Sequence, residues 1–94
     1  MLATDEGLLR TTKDKLINHY YKGKTVWCLF HLTDSIYLLG FSDDKLRVWD
    51  QQKEQEMYQM NDDSVESIKR VMKTDNFILR IYDYGLKLLS IRDL

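Results

Sequence analysis

The sequence predicts an all-β chain of stacked four-stranded antiparallel units, and three observations predict it. The pattern Asp, two residues, Leu recurs at Asp5–Leu8, Asp43–Leu46 and Asp83–Leu86, at spacings of 38 and 40 residues. Repeats of roughly 40 residues mark supersecondary units that cannot bury their apolar face alone and so stack. Two further echoes keep the same phase: Thr33-Asp34-Ser35 with Thr74-Asp75-Asn76 at offset 41, and Val26-Trp-Cys-Leu29 with Val65-Glu-Ser-Ile68 at offset 39. Finally, polar clusters at 33–35, 42–44, 61–64 and 74–76 separate short segments rich in aromatic and branched residues. That is the pattern of strands joined by tight turns.

The elements follow in order. Leu8 to Thr11 and Leu16 to Tyr21 fit the last two strands of an incomplete first unit, residues 1–22. Val26 to Phe30, Ile36 to Phe41, Leu46 to Trp49 and Gln55 to Met60 make a full second unit, residues 23–61. Within it, Leu46 and Val48 fall on one face and Arg47 and Trp49 on the other, the period-two alternation of a strand. The cycle restarts in 62–94 with Val65 to Val71, Phe77 to Tyr82 and Leu86 to Ile91.

One segment has a competing reading. Asp62 to Lys73 carries capping residues at its start and places Val65, Ile68, Val71 and Met72 on one helical face. Asp14 to Tyr21 is similarly ambiguous. The repeat register selects strand for both, because tertiary context overrides local propensity. Were both helical, the fold would be a small α+β domain with a regulatory or enzymatic role.

Composition bounds the function. The 94 residues suffice for one small domain, and 44% hydrophobic with 31% charged residues describes a globular chain. A formal net charge of −1 lacks the basic excess of a nucleic-acid binder. Cys28 is the only cysteine, so no internal disulfide forms, a metal cluster is not expected, and a reducing, cytoplasmic setting is favoured. Asp5 and Glu6 stand where a signal peptide would be apolar. No apolar run approaches the ~18 residues of a membrane span. Proline is absent, so turns rely on Asp, Asn, Ser, Thr and Gly.

Gly40-Phe-Ser-Asp43-Asp-Lys-Leu46-Arg-Val48-Trp49-Asp50 resembles the core of a WD repeat, gaplessly over eleven positions. Val26 to Phe30 is similar to that family's innermost strand. Asp83-Tyr-Gly-Leu86-Lys-Leu88 keeps the turn Asp and the strand, with Leu89-Ser90 in place of Trp-Asp; in the first unit only Asp5-Glu-Gly-Leu8 survives. The resemblance implies a partial β-propeller built from four-stranded WD-like blades, with Asp43, Asp83 and Trp49 in structural roles. It also implies a scaffold that binds other proteins. The family's Gly-His pair is missing: Lys24 follows Gly23 near that place, and Asn61-Asp62 stand near it in the next unit. Asp43 and Asp83 must then find other donors, with backbone amides the expected ones. At ~40 residues per blade the chain supplies a little over two, whereas propellers close with roughly four to eight. Either the chain is part of a larger propeller, a fragment of a longer protein, or several copies complete a ring.

The candidate chemistry is thin. No Gly-rich phosphate loop or Ser/His/Asp pattern occurs, and Asp43 and Asp83 have no base or second carboxylate at a useful spacing, so no catalysis and no cofactor are expected. Cys28 and His31 would face opposite sides of a strand, and with His19 they make no metal set. Asp62-Asp63 lacks the further oxygen ligands of a calcium loop. Tyr20-Tyr21-Lys22 with Lys24 forms a short basic-aromatic patch, read as a solvated loop rather than a base-stacking platform. Trp49 reads as packing core rather than a partner anchor. The family's binding face is built from loops between second and third strands and between blades. By position, that nominates Lys24, Trp27, Ser42, Asp44, Tyr82 and Tyr84 for partner binding. Partners are expected to be other proteins or further copies of the same chain, not nucleic acid or membrane.

Overall fold

The computed structural model describes residues 1–13, 15–73 and 77–90. Its strands are β1 (Leu2–Thr4), β2 (Gly7–Thr12), β3 (Lys15–Tyr20), β4 (Val26–Thr33), β5 (Ile36–Phe41), β6 (Lys45–Asp50), β7 (Gln55–Asn61), β8 (Ile68–Lys73), β9 (Phe77–Tyr82) and β10 (Gly85–Ser90). They form three antiparallel sheets in chain order: β1-β2-β3, β4-β5-β6-β7 and β10-β9-β8. The all-β class is therefore correct, and no α-helix occurs among the described residues.

Two details correct the sequence reading, and a third settles its open alternative. β1 was not anticipated; three residues carry too little alternation to register as a strand. Val65–Ser67 is a single 3-10 turn, and β8 begins only at Ile68. The helical reading of 62–73 fails because this segment pairs with β9, from Ile68 opposite Tyr82 to Lys73 opposite Ile78; the 14–21 ambiguity likewise resolves as β3, and with both the α+β alternative falls. The expected turn at 74–76, Asp14 and the end of the last strand at Ile91 lie outside the described residues.

The central sheet is buried on both faces. One face carries Ile36, Leu38, Leu46 and Val48, which pack with Val65, Ile68, Ile78 and Tyr82 of the third unit. The other carries Leu39, Phe41 and Trp49, which pack with Leu8 and partly buried Ala3, Tyr20 and Tyr21 of the first. β4 lies against both β1 and β8. Gly40 permits this closeness: a Cβ there would run into the Cys28 sulfur and the Val65 side chain. No helix is long and apolar enough to cross a membrane among the described residues.

The third sheet repeats the register of the second. Ile36–Phe41 maps onto Phe77–Tyr82 at offset 41, and Lys45–Asp50 onto Gly85–Ser90 at offset 40. In the central sheet Leu38 pairs with Val48; in the third, Leu79 pairs with Leu88, the residues at those offsets.

Candidate functional site

The turns at one edge of the three sheets are tied into a continuous strip. The Gly23 amide donates to the Glu6 carbonyl at 3.2 Å, and the Ser42 amide to the Thr25 carbonyl at 3.1 Å. The Thr25 hydroxyl donates to the Asp5 carbonyl at 3.1 Å. The Asp62 amide donates to the Asp44 carbonyl at 2.7 Å. Turn residues place these groups: Asp44 has φ 61° and Gly23 φ 80°, the left-handed region that Asp tolerates and Gly adopts freely.

The strip gathers most of the nominated residues. Lys24, Ser42 and Asp44 are exposed and adjacent, with Asp43 between them. Lys24 lies 3.9 Å from the Asp43 carboxylate. Trp27 sits where β4 shifts register between Val26 and Cys28, and it is 46% exposed. Tyr84, in the β9–β10 turn, is 60% exposed and stacks on Tyr82 with ring centres 5.2 Å apart. Lys87 lies over both rings, 5.1 and 5.9 Å from their centres.

Tyr82 is the exception. It is 4% exposed, and its hydroxyl donates to the Asp62 carboxylate rather than facing a partner. The same carboxylate oxygen accepts from Arg80 at 3.0 Å, and its other oxygen accepts the Ser64 amide at 2.9 Å. Asp62 and Arg80 are both buried. Burial, then the bond to Asp62, pushes the Tyr82 hydroxyl well above the usual phenol range. This network pins the β7–β8 connection to β9. The sequence marks Asp62 as a possible helix cap, as half of an Asp pair short of calcium ligands and as standing near the missing Gly-His pair, and does not reach Arg80, whose partner lies 18 residues away.

The turn carboxylates find side-chain donors, not the backbone amides expected. Asp43 accepts from Arg47 at 2.9 and 3.3 Å, and this hydrogen bonding holds its carboxyl below the usual range against an opposing desolvation effect. Asp83 faces solvent opposite Lys69 at 3.5 Å. Arg47 is buried, lies over the Phe41 ring at 4.2 Å and also meets Glu56 at 3.2 Å.

Trp49 is core, 5% exposed, with its indole N–H donating to Gln51 and its ring against Tyr20 and Tyr21. Tyr20 and Tyr21 therefore turn inward, and the basic-aromatic patch is no stacking platform. The hydroxyl of Tyr21 donates to Glu56 at 2.8 Å. Its backbone φ of 53° is uncommon for an aromatic residue and is held by that packing.

Reactive groups stay apart. His19 and His31 each hydrogen-bond a turn carbonyl, of Glu6 and Asp34, at 2.7 Å. Cys28 pairs with Gly40 on one face of the central sheet, and His31 with Tyr37 on the other. Among the described residues no group of three His, Cys, Asp or Glu side chains is placed to hold a metal ion.

No family model and no curated protein matches this chain. Among solved structures, it is similar to the crystal structure of Pyrococcus horikoshii Ph1500, with a TM-score of 0.48 and 14% identity over 86% of this chain. The chain spans about half that protein's length, 52%.

Proposed function

We propose that this protein is a non-catalytic scaffold of the WD-repeat type, part of a larger propeller, that binds other proteins through the strip of turns. The observation that carries the reading is the strip itself. Four alternate connections, β1–β2, β3–β4, β5–β6 and β7–β8, are hydrogen-bonded one to the next, Trp27 is exposed just after the second of them, and Tyr84 is exposed in the next alternate turn, β9–β10. Rigid sheets offering exposed aromatic residues on linked loops suit protein recognition, where aromatic anchors carry most of the binding energy.

Lys24, Ser42, Asp44, Trp27 and Tyr84 form the binding set; Tyr82 supports it from below through its stack with Tyr84. The test is cross-linked capture of partners by wild-type chain and by Asp44→Lys, Trp27→Ala and Tyr84→Ala, quantified by mass spectrometry. Melting curves of each variant guard against unfolding. At least a tenfold loss of the same captured proteins in two of the three variants is expected. Equal recovery by all three sinks the surface.

The open apolar faces at both ends of the stack favour a second reading, in which copies of the chain assemble head to tail.

A further inference from the structure

Each inter-sheet contact in the molecule has the same polarity. The first sheet presents Ala3, Leu8 and Tyr20 to Leu39, Phe41 and Trp49 of the second. The second presents, from its opposite face, Leu38, Leu46 and Val48 to Ile78 and Tyr82 of the third. The third sheet's outward face repeats the second's presenting face at offsets 40 and 41: Phe77, Leu79, Ile81, Leu86 and Leu88 stand for Ile36, Leu38, Gly40, Leu46 and Val48. Exposure separates the two sets. Leu46 and Val48 are each 1% exposed, whereas Leu86 is 63% and Leu88 61%.

The mirror situation holds at the other end. Leu2 pairs with Leu9 as Leu39 pairs with Arg47 in the receiving face of the second sheet. Leu39 is fully buried, while Leu2 is 51% exposed. Leu16, which pairs with Thr11 two residues along β2 from Leu9, shares that face and is 54% exposed. Among the described residues, one presenting face and one receiving face thus stay uncovered, related by the step that already joins the sheets of the molecule.

We propose that the Phe77, Leu79, Ile81, Leu86 and Leu88 face docks the first sheet of a second copy of this chain, head to tail. Such a contact is heterologous: it pairs two different patches and propagates, into a ring where the rotation closes and into an open filament where it does not. Contiguous apolar patches of this kind mark interaction surfaces on soluble chains. The choice of a second copy follows from polarity. A two-fold pairing of like faces would set presenting side chains against presenting side chains, an arrangement neither internal interface uses. The inference rests on the stacked-sheet part of the reading above and names what covers its end.

The test is light scattering behind a sizing column on the 94-residue chain over a wide concentration range. The wild type is expected at discrete multiples of its 11.3 kDa mass. L86K/L88K, which charges the presenting face, and L2K/L16K, which charges the receiving end, are each expected as monomers. Mixed one to one, they should form pairs and stop there, because each retains the face the other has lost. These side chains are exposed, so far-UV circular dichroism should be unchanged; single L86K gives the same direction should the double variant lose its fold. A wild-type monomer at every concentration overturns the proposal and hands the face to sheets of another chain. Self-pairing by L2K/L16K alone also overturns it, because like faces would then be meeting. A monomer whose partner capture still depends on Trp27 and Tyr84 sinks the second copy and leaves the turn strip standing; association with unaltered capture by the strip variants does the reverse.

Discussion

Asp62 and Arg47 each anchor a charge cluster, and burial decides which is costlier to lose. Asp62 and Arg80 have side chains 1% and 5% exposed. Asp62→Ala leaves the Arg80 charge buried, with its Nε already lacking a partner, and removing one member of a buried pair costs about 3–5 kcal/mol. Against total stabilities of about 0.05–0.15 kcal/mol per residue, that variant is expected to be near the edge of folding in urea titration. Arg47→Met should cost less, about 1–2 kcal/mol, because its partners Asp43 and Glu56 are 37% and 34% exposed and rehydrate. Tyr82→Phe removes one neutral donor and should cost about 1–2 kcal/mol. Cys28 gives a pH prediction. Burial raises its thiol from about 9 to about 11, outweighing a hydrogen bond with the Gly40 backbone. Labelling by a thiol reagent should therefore keep accelerating beyond pH 9 and, near neutrality, run at least about a hundredfold below an exposed cysteine. Because the folded value is the higher one, this contribution to stability is complete below about pH 9 and is lost as pH climbs through 11. Tyr21 and Tyr82 are shifted in the same direction, so alkaline unfolding should set in earlier for the wild type than for Tyr82→Phe, relative to each one's stability at neutral pH.

At the level of elements, the legible features were those encoded in alternation and turn chemistry. Ile36–Phe41 and Phe77–Tyr82 are legible to the residue, because each is rich in aromatic and branched side chains between polar clusters. Asp34 and Asp44 fall in turns that the polar clusters predict, and both take the left-handed φ there. What stayed illegible depends on distant partners. β1 exists because Leu2, Ala3 and Thr4 pair with Leu9, Leu8 and Gly7, and three residues have no period of their own. The start of β8 at Ile68 reflects Val65, which fills the space beside Gly40 and so leaves the strand path. In the candidate strip the turn residues could be nominated by register, but burial of Tyr82 could not: its environment comes from Asp62, twenty residues away in sequence. Gly40 supports an element-scale prediction. Gly40→Ala should force Cys28 and Val65 apart, separating the second and third sheets locally, at a cost of about 1–3 kcal/mol. Chemical denaturation and the accessibility of Cys28 should move together in that variant.

Across the whole molecule, three sheets follow one another with a constant step, and stability belongs to the contacts between sheets as much as to the sheets. The central sheet is covered on both sides; the outer two are each covered on one. Hydrogen exchange should accordingly be slowest in β5 and β6 and fastest in β10 and β3, whose edges and outer faces meet water. Association through the end faces would slow β10 and β3 selectively as concentration rises. The arrangement also gives the protein its own optical probes. Trp49, packed against Tyr20 and Tyr21, reports on the interior, while Trp27 stands in solvent on the turn strip. Their emission should split into a blue component hidden from iodide and a red component that iodide quenches. A ligand seated on the strip would shield the second without altering the first, so fluorescence alone can tell occupation of the surface from a change in the core.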